Sequence, residues 1–228
     1  MNAYTAATRL HTSVLAAAEK RALVWLAGRM PGWVNSDHLT GLALAAMLGA
    51  GLSYWLASVR PIGLLLAVVF LAINWFGDSL DGTLARVRDC QRPRYGFYVD
   101  HVVDELGVAF LLGGLALSGY MSPAVAIGVL VAYLMLLVEV FLATHALGTF
   151  RMSCFKLGPT ELRILLAIGN VIVMFRPTTT VFGRDVLFFD VGGVIAAAAL
   201  VLTLIVSAVS NTRTLYRAEP LPMHRTAE

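Results

Sequence analysis

Six apolar stretches punctuate the chain, at roughly Leu39–Val59, Pro61–Phe76, Val99–Leu117, Pro123–Leu147, Leu162–Phe175 and Val191–Ser210. About 20 apolar residues in a helix cross the ~30 Å hydrocarbon core of a bilayer. A backbone in lipid must satisfy its own hydrogen bonds, so these stretches predict helices. The two-residue alternation of a membrane barrel is absent. Before them, residues 4–34 set Leu10, Val14, Leu15, Trp25 and Leu26 among basic residues. That pattern predicts a helix, read either as interfacial or as an ordinary cytosolic helix packed on the bundle. The expected fold is all-α: a polytopic bundle of six transmembrane helices with an N-terminal juxtamembrane helix. Residues 1–38 form the N-terminal segment, 39–210 the membrane domain and 211–228 a cytosolic tail.

Composition strengthens the reading. Of 228 residues, 58% are hydrophobic and 14% charged, with mean hydropathy +0.77. Soluble domains carry about 25% charged residues. A formal net charge of +3 is too small to suggest nucleic acid. All Lys and Arg except Arg60, Arg176 and Arg184 fall on one side of the predicted membrane. The positive-inside rule assigns that side, both termini and the Arg-rich second connection to the cytoplasm. Cys90 and Cys154 lie on the same side and form no metal-ligand pattern, so no structural disulfide is expected. No cleavable leader is read at the start. With the compact size, this favours a bacterial inner membrane.

Chemistry concentrates between Asp78 and Asp104. Asp78 and Asp81 are three apart and share a helix face, which Gly82, Ala85 and Arg86 extend. Pro93 breaks the chain. Gly96, Asp100 and Asp104 then follow at intervals of four. Two helices joined by a short connection are expected as antiparallel neighbours, with four carboxylates gathered near the cytosolic boundary. Such carboxylates repel unless protonated or bridged by cations. All-oxygen ligation suits Mg²⁺ or Mn²⁺. Two ions could clamp a phosphoanhydride. Gly82, Ala85 and Gly96 leave a nucleotide room to approach the backbone, and Arg86 offers paired donors to a phosphate.

The run from Asp78 through Asp81, Gly82, Ala85, Arg86 and Gly96 to Asp100 and Asp104 resembles the signature of the CDP-alcohol phosphatidyltransferase family. The gap between Arg86 and Gly96 is one residue longer than the commonest form. It falls in the connecting loop, where an insertion costs little. The resemblance implies six membrane helices with the motif on the second and third. It implies two divalent ions held by Asp78, Asp81 and Asp100. It gives Asp104 the role of general base on the acceptor hydroxyl, with a share in metal binding left open. Gly82, Ala85 and Arg86 would help hold the CDP moiety. The expected reaction moves a phosphatidyl group from CDP-diacylglycerol to an alcohol with release of CMP. The alternative is a CDP-aminoalcohol donor with diacylglycerol as acceptor; the run Gly158-Pro159-Thr160-Glu161 looks like a segment of that branch. A small cation transporter is the remote alternative. Partners are the CDP-linked donor, an acceptor alcohol and membrane lipids. Dimers are frequent in the family, but no segment here identifies an interface.

Outside the motif the readings divide. Lys156, Arg163 and Glu139 are candidates for acceptor binding. Glu139 is equally a protonated packing residue. Thr160 and Glu161 suit the start of a helix. Asn74, one turn before Asp78, is read as orienting it, as contacting the nucleotide base, or as making a plain interhelical hydrogen bond. His101, Glu105, Thr144 and His145 are read as structural. Asp89, Arg88, Arg92 and Arg94 are read as solvated or lipid-headgroup residues. The run Ser36-Asp37-His38-Leu39-Thr40 departs from the Pro-Asn-x-Leu-Thr of many relatives. Asn35 and Asp37 either replace that pair or merely cap the helix.

Overall fold

The computed structural model describes residues 16–148 and 159–219, with side chains from residue 19. Among them are seven helices and one hairpin, in the order α1 (Ala16–Ala27), α2 (Ser36–Ala57), α3 (Ile62–Val87), α4 (Pro93–Leu117), α5 (Pro123–Leu147), α6 (Pro159–Phe175), β1 (Thr178–Val181), β2 (Arg184–Leu187) and α7 (Phe188–Ala218). Local chemistry sets the ends. The Asn35 side chain accepts from the His38 amide at 2.9 Å and the His38 ring accepts from the Asn35 amide at 3.3 Å, a reciprocal cap on α2. Asn35 thus caps the helix, as one of its two readings held. Pro93 and Pro123 open α4 and α5, where a missing N–H costs nothing. Gly148, at φ 67°, closes α5 in the left-handed conformation.

Helices α2 to α7 occupy the positions of the six expected spans. Four of them, α2, α3, α5 and α7, are long and apolar enough to cross a membrane, and the protein is an integral membrane protein. Among the described residues those two criteria give four spans and do not confirm the expected six. Helix α6 has 17 residues, or about 26 Å at 1.5 Å per residue, short of the hydrocarbon core. Helix α4 has the length, but Asp100, Asp104 and Glu105 interrupt its apolar run. Helix α7 extends to Ala218, beyond the expected end at Ser210. The hairpin between α6 and α7 was not foreseen. It pairs Thr178 with Leu187 and Val181 with Arg184, and turns through Phe182 (φ 49°) and Gly183 (φ 77°). Two positive φ angles in a two-residue loop match the twist of the strands.

The expected direct pairing of α3 with α4 is replaced by a different arrangement. Both pack chiefly on α2. Small residues permit it. A Cβ on Gly51 would lie 2.3 Å from the Phe110 carbonyl oxygen, and one on Gly114 would lie 2.2 Å from that of Gly51. These fix the α2–α4 crossing. On the other side, a Cβ on Gly63 would meet the Ser53 oxygen at 2.3 Å, and one on Gly77 the Leu39 oxygen at 2.6 Å. Membrane helices gain little from apolar burial against each other, because lipid is as apolar as they are. Close approach of backbones at small residues takes over. Around α2 lies a core of Ala50, Tyr54, Leu64, Ala67, Leu71, Leu111 and Leu115. Helix α1 packs on α3 through Leu23 and Ala27 against Leu80 and Leu84. Beyond these, α4 meets α5, α5 meets α7, and α3 meets α6.

Candidate functional site

The motif lies at the end of α3 and the start of α4, held from one side by the start of α2. One carboxylate oxygen from each of Asp78, Asp100 and Asp104 falls within 4.8 Å of the other two. Asp78 and Asp100 are half-buried and Asp104 is exposed. Three convergent carboxylate oxygens at that spacing fit a divalent cation, whose all-oxygen ligation needs such a set. Their mutual repulsion is the electrostatic reason to expect positive charge among them.

Asp81 stands outside this group of three, although it is close enough to Asp100 and Asp78 for their charges to act on it. Thr40 donates to its Oδ2 at 2.6 Å, and Ser36 donates to its main-chain oxygen at 2.9 Å. Both donors come from the first turns of α2. The gathering of four carboxylates expected from the sequence is therefore three together and one held by α2. The physical cause is the intervening helix: α2 carries the packing of α3 and α4 and brings its own hydroxyls to Asp81.

Asp78 is engaged from α6. Arg163 donates from one terminal nitrogen to Asp78 Oδ2 at 2.5 Å and from Nε to Asn74 Oδ1 at 2.8 Å. The pair is largely shielded, with side-chain exposures of 15% for Arg163 and 19% for Asp78. Asn74 also donates to the Ala43 carbonyl of α2 at 3.1 Å. Asn74 therefore bonds between helices, and it also braces the arginine that holds Asp78. One turn earlier on α6, the Thr160 hydroxyl donates to Glu19 of α1 at 2.7 Å, and Glu19 also accepts from Trp75 at 2.7 Å. Glu19 thus ties α1, α3 and α6 together. The sequence offered no signal for it beyond a lone carboxylate on a basic segment.

The small residues of the motif are open. Gly82 and Gly96 are exposed, and Ala85 is half-buried. Among the described residues, a Cβ on Gly96 would meet nothing within 4 Å, and one on Gly82 would meet only the Arg86 head at 3.4 Å. Packing among these residues therefore asks for neither glycine, unlike those at the α2 crossings. Arg86 is exposed and donates to Thr83 at 2.9 Å, so its head lies over the Gly82 face.

The other candidates lie elsewhere. Glu139 is half-buried between α5 and α7, accepting from Ser207 and from Asn211, each at 2.8 Å. Lys156 lies outside the described residues, as do Gly158 and Cys154. His101 is buried against Phe97 and Phe141. Arg88, expected in solvent or at headgroups, instead binds the carbonyls of Met30, Pro31 and Val34 and so closes the turn between α1 and α2. Arg92 pairs with Asp37 at the surface, a contact worth little in water.

The fold and site define an integral membrane protein with an acidic cluster at one end of its helical bundle. Residues 33–209 match the model of the CDP-alcohol phosphatidyltransferase family, and the chain belongs to that family. None of the curated proteins gives a significant match. Members of the family transfer a phosphate-linked group from a CDP-activated donor to an alcohol, which makes this chain a transferase by class. Their use of divalent metal agrees with the three converging carboxylates.

Proposed function

We propose that the protein synthesises a phospholipid by moving a phosphatidyl group from CDP-diacylglycerol to an acceptor alcohol, releasing CMP. The observation that carries the reading is the convergence of Asp78, Asp100 and Asp104 on helices that also carry the exposed Gly82, Arg86 and Gly96, in a chain of this family. Mg²⁺ or Mn²⁺ held by Asp78, Asp100 and Asp104, with Asp81 alongside, would neutralise the pyrophosphate as the bond to CMP lengthens.

The chain's own groups divide the remaining work. The Gly82 and Gly96 face and Ala85 leave room for the nucleotide against the backbone. Arg86 lies where it can turn from Thr83 onto a phosphate oxygen, and a guanidinium suits that partner. Asp104, the exposed member of the three, takes the proton of the acceptor hydroxyl. The acceptor oxygen then forms a bond to the phosphorus nearer the lipid, and the bond from that phosphorus to the CMP oxygen breaks. Such transfers depend on positioning and charge neutralisation more than on covalent help. The distribution of Lys and Arg supports a cytoplasmic site, open to cytosolic nucleotides.

The test is CMP release from the purified chain in lipid, with CDP-diacylglycerol and a panel of alcohols, against a CDP-aminoalcohol with diacylglycerol. Release from CDP-diacylglycerol, lost in Asp100→Asn and Asp104→Asn, is the expected result. Release only from the CDP-aminoalcohol would reverse the substrates while keeping the site. No release with any pair from folded protein would sink the reading.

A further inference from the structure

We infer that Arg163 is an internal counter-cation of the acidic cluster, which holds Asp78 and weakens divalent-metal binding until an anionic donor arrives. The inference rests on the reading of Asp78, Asp100 and Asp104 as metal ligands. It goes beyond that reading by giving a residue of α6, outside the motif, control over how tightly they bind.

Arg163 reaches the site from the second turn of α6. Its Nε is fixed by Asn74 and one terminal nitrogen by Asp78, residues one turn apart on α3. Two bonds on adjacent edges of a planar head leave it little freedom to rotate. Asn74 is itself anchored to the Ala43 carbonyl, so the brace extends to α2. The remaining terminal nitrogen, NH1, is buried and has no partner among the described residues. A buried guanidinium nitrogen without a partner is costly.

Two consequences follow for a cation at the cluster. Asp78 Oδ2 is already taken, so a metal that needs that oxygen must displace Arg163. A metal that takes only the other oxygen still sits beside a fixed positive charge in a shielded environment, where charges interact more strongly than in water. Either way Arg163 opposes the ion. An anionic pyrophosphate changes the balance, because it offers oxygens to the free nitrogen and to the ion together. Metal and donor should therefore bind with positive linkage, each strengthening the other.

The experiment titrates Mn²⁺ into the full-length protein in detergent, without donor, and follows the free Mn²⁺ signal by electron paramagnetic resonance. Thermal unfolding of each variant checks folding. Arg163→Gln and Arg163→Met are expected to bind Mn²⁺ about tenfold more tightly than the wild type, as removing one nearby positive charge predicts. Arg163→Lys keeps the charge and should stay within about twofold. Asn74→Ala frees the arginine head without changing charge, and should tighten binding by about threefold, which tests the idea even where Arg163 variants do not fold. A residue that only supported the fold would give weaker binding on removal. Equal or weaker Mn²⁺ binding in the folded neutral variants overturns the role of Arg163 and leaves the metal site standing. Absence of Mn²⁺ binding in every protein, wild type included, overturns the metal-site reading and this inference with it.

Discussion

Single residues at the mouth of the site do different work from their neighbours of the same type. Asp81 accepts from Thr40, whereas Asp78 is held by Arg163, and Asp104 is the exposed member of the cluster. Thr40→Val removes the hydroxyl and leaves Asp81 Oδ2 without that donor. We expect a fall of about tenfold in kcat for CMP release, with a stability loss near ~1 kcal/mol, read by kinetics and thermal unfolding side by side. Glu139 gives the opposite expectation. Its partners Ser207 and Asn211 bind α5 to α7. Glu139→Leu should therefore cost about 1–2 kcal/mol in unfolding experiments and leave the KM for the acceptor within about twofold of wild type. A large rise in that KM would return Glu139 to the acceptor site. The spacing of Asp78, Asp81, Asp100 and Asp104 made the motif legible in the sequence. Arg163 was legible only as an acceptor candidate, and Asn74 only as a polar residue one turn from Asp78. Their joint hold on Asp78 depends on where α6 lands, which no local pattern encodes.

At the scale of elements, α2 is the organising helix. It presents Gly51 to α4, meets Gly63 and Gly77 of α3 with its backbone, and places Ser36 and Thr40 on Asp81. The Gly51–Gly114 crossing has no space for a side chain. Gly114→Ala should destabilise the protein by about 1–3 kcal/mol, seen as a lower unfolding temperature in detergent, and should lower activity in proportion to the folded fraction. An unchanged unfolding temperature would mean that the crossing is looser than the backbone distances indicate. The apolar runs announced the helices themselves, because burial in lipid demands continuous hydrophobicity. They did not announce which helices touch, since a small residue is common in any membrane helix. The pairing of α3 and α4 through α2 was missed for that reason. The hairpin between α6 and α7 was missed because its Thr178–Val181 and Arg184–Leu187 strands are only four residues each.

For the whole molecule, the charge distribution makes a topological prediction. Cys90 lies exposed in the connection between α3 and α4. In a Cys154→Ser variant, a membrane-impermeant maleimide should label Cys90 in inside-out vesicles and leave it unlabelled in right-side-out ones. The reverse pattern would place the aspartates on the outer face, away from cytosolic nucleotides. The sequence by itself determined the membrane class, the helical secondary structure and the family signature. Each of these is written in local composition or fixed spacing, and lipid imposes the helix on any long apolar run. Only the tertiary structure decided that three aspartates converge while the fourth is held by Thr40, that Arg163 engages Asp78, and that Glu19 joins three helices. Those facts depend on how close backbones can come and which helix lies between which. That is settled by the packing of distant glycines against carbonyl oxygens, and not by the pattern along any one segment.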